Sequence, residues 1–168
     1  MVKKKKGFTL IELMITVAII GIIMSVGPTL LLNIFQFFRM QMARAKVQQN
    51  ARITLDLINR NLRQATGTSV VISQRTSQPP YSWITFTIDN GSGEALGDYG
   101  FYQEGKYLRY MKNGSTSTIS DNLKYLAFTY PRSDDDGIVS VSMTFEEATY
   151  SGYSKALQLS IEKVRVMN

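Results

Sequence analysis

The sequence predicts an α+β fold: one long N-terminal helix, apolar all round in its first half and amphipathic in its second, packed on an antiparallel β-sheet domain. Three observations carry this expectation. Leu13–Leu32 is an uncharged run of twenty residues inside an apolar stretch from Phe8 to Phe38. From Arg39 apolar residues recur at helical spacing, and beyond Gly67 the period switches to two. Helical spacing and strict alternation are the primary sequence signals of one-sided helices and half-buried strands.

The leader comes first. Lys3, Lys4, Lys5 and Lys6 end at Gly7, and the apolar stretch opens at once with Phe8. The net charge of +6 is mostly this cluster. Nineteen basic residues less four lysines leave 15 against 13 acids, a net of +2, so nucleic acid is not an expected partner. By the positive-inside rule the lysines hold their end in the cytoplasm, with the remainder exported.

Twenty apolar residues at 1.5 Å each span about 30 Å, the thickness of a hydrocarbon core. A buried core helix in a chain of 168 residues would show a polar face, and this stretch has none. A secretory signal peptide needs a small-residue cleavage site after its apolar region. The candidate, Ser25-Val26-Gly27, is followed by Pro28, whose fixed φ and missing N–H suit a cut poorly. A membrane helix processed on its cytoplasmic side accounts for the leader as well. Gly27 and Pro28 should weaken or kink that helix, because Pro28 cannot donate to the carbonyl of Met24.

One residue does not belong in lipid. Glu12 lies in the first turn, and an acid at the bilayer centre costs roughly 2.5–3.5 kcal/mol on insertion scales. Such a carboxylate requires a partner.

The run Gly7-Phe8-Thr9-Leu10-Ile11-Glu12-Leu13, after a basic leader and before an apolar helix, resembles the N-terminus of type IV pilins and of the pseudopilins of type II secretion. The likeness covers Lys3 to Ile23. It implies that a prepilin peptidase cuts after Gly7 and that the new N-terminus, Phe8, is N-methylated. It further implies that Glu12 meets a subunit's N-terminal ammonium during filament assembly, and that Pro28 belongs to a hinge. The implied partners are the peptidase, other pilin or pseudopilin subunits, an inner-membrane assembly platform and the lipid bilayer. The implied location is the bacterial inner membrane, single-pass with a cytoplasmic N-terminus and a periplasmic or extracellular domain, and then the filament.

Met40, Ala43, Val47, Ala51, Leu55, Ile58, Leu62 and Ala65 mark one face of the second helical half, with Arg44, Arg52, Arg60 and Arg63 opposite. No proline or glycine interrupts Thr29–Thr66, so the helix is expected to run unbroken from Phe8 to about Ala65, roughly 85 Å. The divisions are thus a leader at 1–7, a helix at 8–66 that spans the membrane over about 8–38, and an exported domain at 67–168. Gln48 to Ala65, ending Asn61-Leu62-Arg63-Gln64-Ala65, is similar to the helix of minor pilins and of J-type minor pseudopilins. That likeness implies a minor subunit near a filament tip.

In the exported half Ile84, Phe86 and Ile88 alternate with threonines; Leu126, Phe128 and Tyr130 form another alternating set, as do Val139, Val141, Met143 and Phe145. Leu157, Leu159 and Ile161 begin a last run whose phase slips to Val164 and Val166, as a bulge near Glu162-Lys163 would cause. Turn signals stand at Asn90-Gly91, Glu104-Gly105, Asn113-Gly114, Asp136-Gly137 and Ser151-Gly152. Tyr99–Gln103 should pair with Lys106–Met111 as a hairpin. About seven short strands are expected.

There is no cysteine and no histidine, so disulfides, zinc sites, Ser-His triads and thiol chemistry are excluded. No catalytic residue, metal ligand or cofactor is assigned, and the chain is not read as an enzyme. Two sharper readings stay open. Asp134-Asp135-Asp136-Gly137 would bind calcium only with oxygens from elsewhere, since it lacks an EF-hand's spacing; the plainer reading is a solvated turn. Tyr99, Phe101, Tyr102, Tyr107, Tyr110 and Tyr125 would stack on DNA or sugar if they shared one surface. That is the alternative function: a pilus-tip binding module, either an adhesin or a DNA-uptake pilin.

Overall fold

A computed structural model describes residues 7–89, 95–132, 137–150 and 154–166. Among the described residues one helix, α1 (Leu10–Arg63), is followed by a 3-10 turn at Gly67–Ser69 and by eight strands. These are β1 (Val71–Ser73), β2 (Trp83–Asp89), β3 (Ala95–Glu104), β4 (Tyr107–Lys112), β5 (Ser115–Ser120), β6 (Leu123–Thr129), β7 (Ile138–Tyr150) and β8 (Ser154–Arg165). The architecture is α+β and pilin-like. The chain divides into two compact units, Met1–Arg39 and Met40–Asn168.

In the first unit the described residues from Leu10 to Phe38 are exposed, save a half-buried Gly27, and nearly all are apolar. By length and composition this helix suits a membrane crossing. Two of its hydroxyl side chains are satisfied locally. The Thr16 hydroxyl donates to the carbonyl of Leu13 at 2.8 Å, and that of Ser25 to Ile22 at 2.8 Å. In hydrocarbon no water would do this for them. The helical assignment continues through Pro28.

The second unit is built on the amphipathic part of α1. Ala43, Val47, Ala51, Thr54, Ile58 and Leu62 are buried at spacings of three and four. Thr54 takes the central place that the pattern gave to Leu55, which is half-buried. The helix ends at Arg63, two residues before the expected Ala65. Gln64 and Ala65 donate to carbonyls three residues back, tightening the last turn. Thr66 then turns its N–H to the carbonyl of Thr87 at 3.0 Å, and Ala65 bridges Ile88.

The strands form two antiparallel sheets rather than one, ordered β1-β2-β3-β4-β5 and β6-β7-β8. The expected hairpin is present: Gln103 pairs with Leu108, and Gly105 takes φ +59° in its turn, where a side chain would be strained. Asn113 and Gly114, both with positive φ, turn β4 into β5. The turn pairs at Asn90-Gly91 and Ser151-Gly152, and Asp136, lie outside the described residues. The sheets are stitched where Phe128 donates to the carbonyl of Tyr81 at 2.8 Å and the Gln103 amide donates to that of Lys124 at 3.2 Å.

Phe86, Phe101, Phe128 and Phe145 fill the core against Val47, Ile58 and Leu62. Polar clasps orient α1 on the sheets. The Tyr110 hydroxyl donates to Asn61 Oδ1 at 3.2 Å, Asn50 donates to Asn122 Oδ1 at 3.0 Å, and Lys46 pairs with Glu147 at 3.0 Å.

The last strand differs from expectation. No bulge lies near Glu162-Lys163: β7 and β8 pair in unbroken register from Ile138↔Arg165 to Ala148↔Lys155. Alternation therefore holds throughout. Ala156 and Val164 face the core, while Leu157, Leu159 and Ile161 point away from it. The inner positions carry small or isolated apolar residues, so the larger outward trio dominated the pattern.

Candidate processing and assembly site

The N-terminal site is built from Gly7, Phe8, Thr9 and Glu12. Thr9 immediately precedes α1 and Glu12 lies in its first turn. Glu12 Oε2 accepts the backbone N–H of Thr9 at 2.8 Å and its hydroxyl at 2.9 Å. The Thr9 Oγ1 in turn accepts the N–H of Glu12 at 3.4 Å. This reciprocal arrangement is a capping box, in which each side chain satisfies a helix-terminal donor of the other. The partner that Glu12 requires is therefore, in the uncut chain, Thr9. The spacing Thr-x-x-Glu carried that signal in the sequence, and the expectation of an ammonium partner passed over it.

Phe8 is 89% exposed, and Gly7 stands in open space, with nothing within 4 Å of where a Cβ would be. The chain itself has room for a side chain at Gly7. Any demand for glycine there comes from whatever binds the segment.

Residues 2–27 match the prokaryotic N-terminal methylation motif. This is the signal carried by type IV pilins and pseudopilins, and it supports a type IV pilin-like protein. It implies processing by a prepilin peptidase and assembly with other pilins. Together with the apolar helix it fits a membrane-anchored pilin. Proteins bearing the motif are structural rather than enzymatic. No curated protein and no solved structure matches the chain.

The aromatics do not assemble into a stacking surface. Tyr99, Phe101 and Tyr102 are buried. Phe101 stacks inside the core on Phe86 at 6.2 Å and on Tyr110 at 5.0 Å. Tyr107 and Tyr125 are the more exposed members, on different sheets. The triplet Asp134–Asp136 lies outside the described residues; among the described ones no cluster of three or more acids could hold a metal.

Proposed function

We propose that this pilin-like chain is a minor pilin or pseudopilin, a subunit of a type IV pilus or type II secretion pseudopilus placed near the filament tip. Prepilin peptidase hydrolyses the Gly7–Phe8 bond, leaving a carboxylate on the leader and an amine on Phe8 that is then methylated. Residues 8–38 cross the inner membrane with their N-terminus in the cytoplasm, and residues 67–168 form the exported domain, on the far side of the bilayer. An assembly platform in the inner membrane draws the subunit into the filament, with Gly27 and Pro28 as the place where the helix gives.

The observation that carries this reading is the coincidence of the motif with an exposed Gly7–Phe8 bond one residue ahead of the Thr9–Glu12 capping box. Cutting places a new ammonium next to Thr9, within reach of the Glu12 carboxylate. In the filament the same carboxylate meets the ammonium of an incoming neighbour, giving assembly a register that apolar packing does not supply. A charge pair in low dielectric is strong, and breaking it leaves a buried charge that costs several kcal/mol. Glu12→Ala should insert and be cut normally but disappear from sheared filaments or from co-purified subunits. Wild-type incorporation of Glu12→Ala would remove the role given to the carboxylate.

A further inference from the structure

The outward side of β8 is unlike the rest of the exported domain. Leu157, Leu159 and Ile161 are 58%, 62% and 62% exposed in a column on a strand that ends its sheet. Ala156–Ile161 holds six residues without a charge, a proline or a glycine. Natural edge strands are normally blunted by charge, proline or bulges, because a bare apolar edge recruits other strands. Here the pairing with β7 is regular beside the column, and among the described residues no further strand lies on the other side.

A groove of about 450 Å³ adjoins the same stretch, lined by Arg44, Val47 and Gln48 of α1 and by Ala156, Leu157 and Gln158 of β8. Its accessible lining is mostly polar, although Val47 and Ala156 within it belong to the core. Cations stand at both ends: Arg44 by the groove, and exposed Lys163 and Arg165 beyond Ile161.

We propose that the β8 edge receives an extended segment of a different protein subunit, added as a fourth strand, with alternate apolar residues over Leu157, Leu159 and Ile161 and carboxylates near Lys163 and Arg165. The column exposes only a few hundred Å², well short of the roughly 800 Å² per partner of a stable dimer. Main-chain pairing along the open edge has to supply the rest, which is how strand addition works. A second copy fits badly: the outward positions from Leu157 to Arg165 contain no carboxylate to meet the two cations. The proposal rests on the filament-subunit reading, since that supplies neighbouring exported domains at high local concentration.

The test uses the full chain in the membranes of its own host, with a photo-crosslinking residue at Leu159 and, as a control, at exposed Thr116 of β5. Position 159 should give an adduct with another subunit, several-fold above the control, whose crosslinked peptide is extended and acidic. Lys163→Glu with Arg165→Glu, both surface changes, should lower that yield about fivefold while chain level and cleavage after Gly7 stay normal. Equal yields at 159 and 116 would overturn the proposal, as would an adduct to lipid or to this chain's own β8, or indifference to the charge reversal. Failure of cleavage after Gly7 would instead defeat the filament-subunit reading itself.

Discussion

Glu12 Oε2 is held by Thr9 through two hydrogen bonds, from the backbone N–H at 2.8 Å and the hydroxyl at 2.9 Å. One carboxylate thus caps the helix and holds Thr9, the second residue after the proposed cut. Losing a threonine cap costs about 1 kcal/mol, roughly a fivefold shift in an equilibrium. Thr9→Val keeps the backbone donor and removes the hydroxyl. It should be cut and inserted normally yet appear about fivefold less in filaments, a milder loss than in Glu12→Ala, while Thr9→Ser should match wild type. Quantitative blotting of sheared filaments decides it; Thr9→Val at wild-type level would show that the hydroxyl is dispensable.

The second half of α1 is a core element of the β-rich domain. Ile58 and Leu62 are fully buried and Val47 nearly so. A soluble fragment of residues 40–168 should fold, whereas 67–168 should aggregate, because it bares the sheet surface those side chains cover. Within the longer fragment Ile58→Ala should cost about 2–5 kcal/mol in urea unfolding. Ile53→Ala, at a position 55% exposed on the same helix, should stay within about 0.5 kcal/mol. A monomeric, cooperatively folding 67–168 would contradict this account of the core.

Alkaline pH should loosen the same domain. Burial raises the Tyr110 hydroxyl above its ordinary pKa, with Tyr99 adding to the effect. Lys46 is also raised, chiefly by its hydrogen bond to Glu147, although its exposure keeps that share small. Both groups hold their protons more tightly folded than unfolded. Their stabilisation is complete below the unfolded values, about 10 for tyrosine and 10.4 for lysine, and is lost as pH rises through the higher folded ones. The melting temperature of fragment 40–168 should therefore fall more steeply above pH ~10, and Tyr110→Phe should reduce that steepening. An unchanged slope in Tyr110→Phe would sink the assignment.

The sequence made some elements easier to read than others. Val47, Ala51, Ile58 and Leu62 declared their helix face because apolar residues there coincide with burial. Ile84, Phe86 and Ile88 did the same for β2. Thr54 could not be foreseen, since a hydroxyl at a core position gives no apolar signal. β5, Ser115–Ser120, was equally silent: it pairs with β4 through its main chain while its side chains are mostly hydroxyls in solvent. In β8 the larger apolar residues mark the outer face, so apolarity alone pointed the wrong way. At the candidate site Gly7, Phe8 and Glu12 were legible as a motif, and Thr9 was legible only as a cap.

The central claim is that this chain is a prepilin-type subunit cut between Gly7 and Phe8, and intact mass measurement of the protein from its host tests it most directly. The account predicts a chain lacking residues 1–7 and beginning with N-methyl-Phe8, and a Gly7→Val variant that keeps its leader. A mature chain beginning at Pro28, or an unprocessed Met1 start in the wild type, would contradict it.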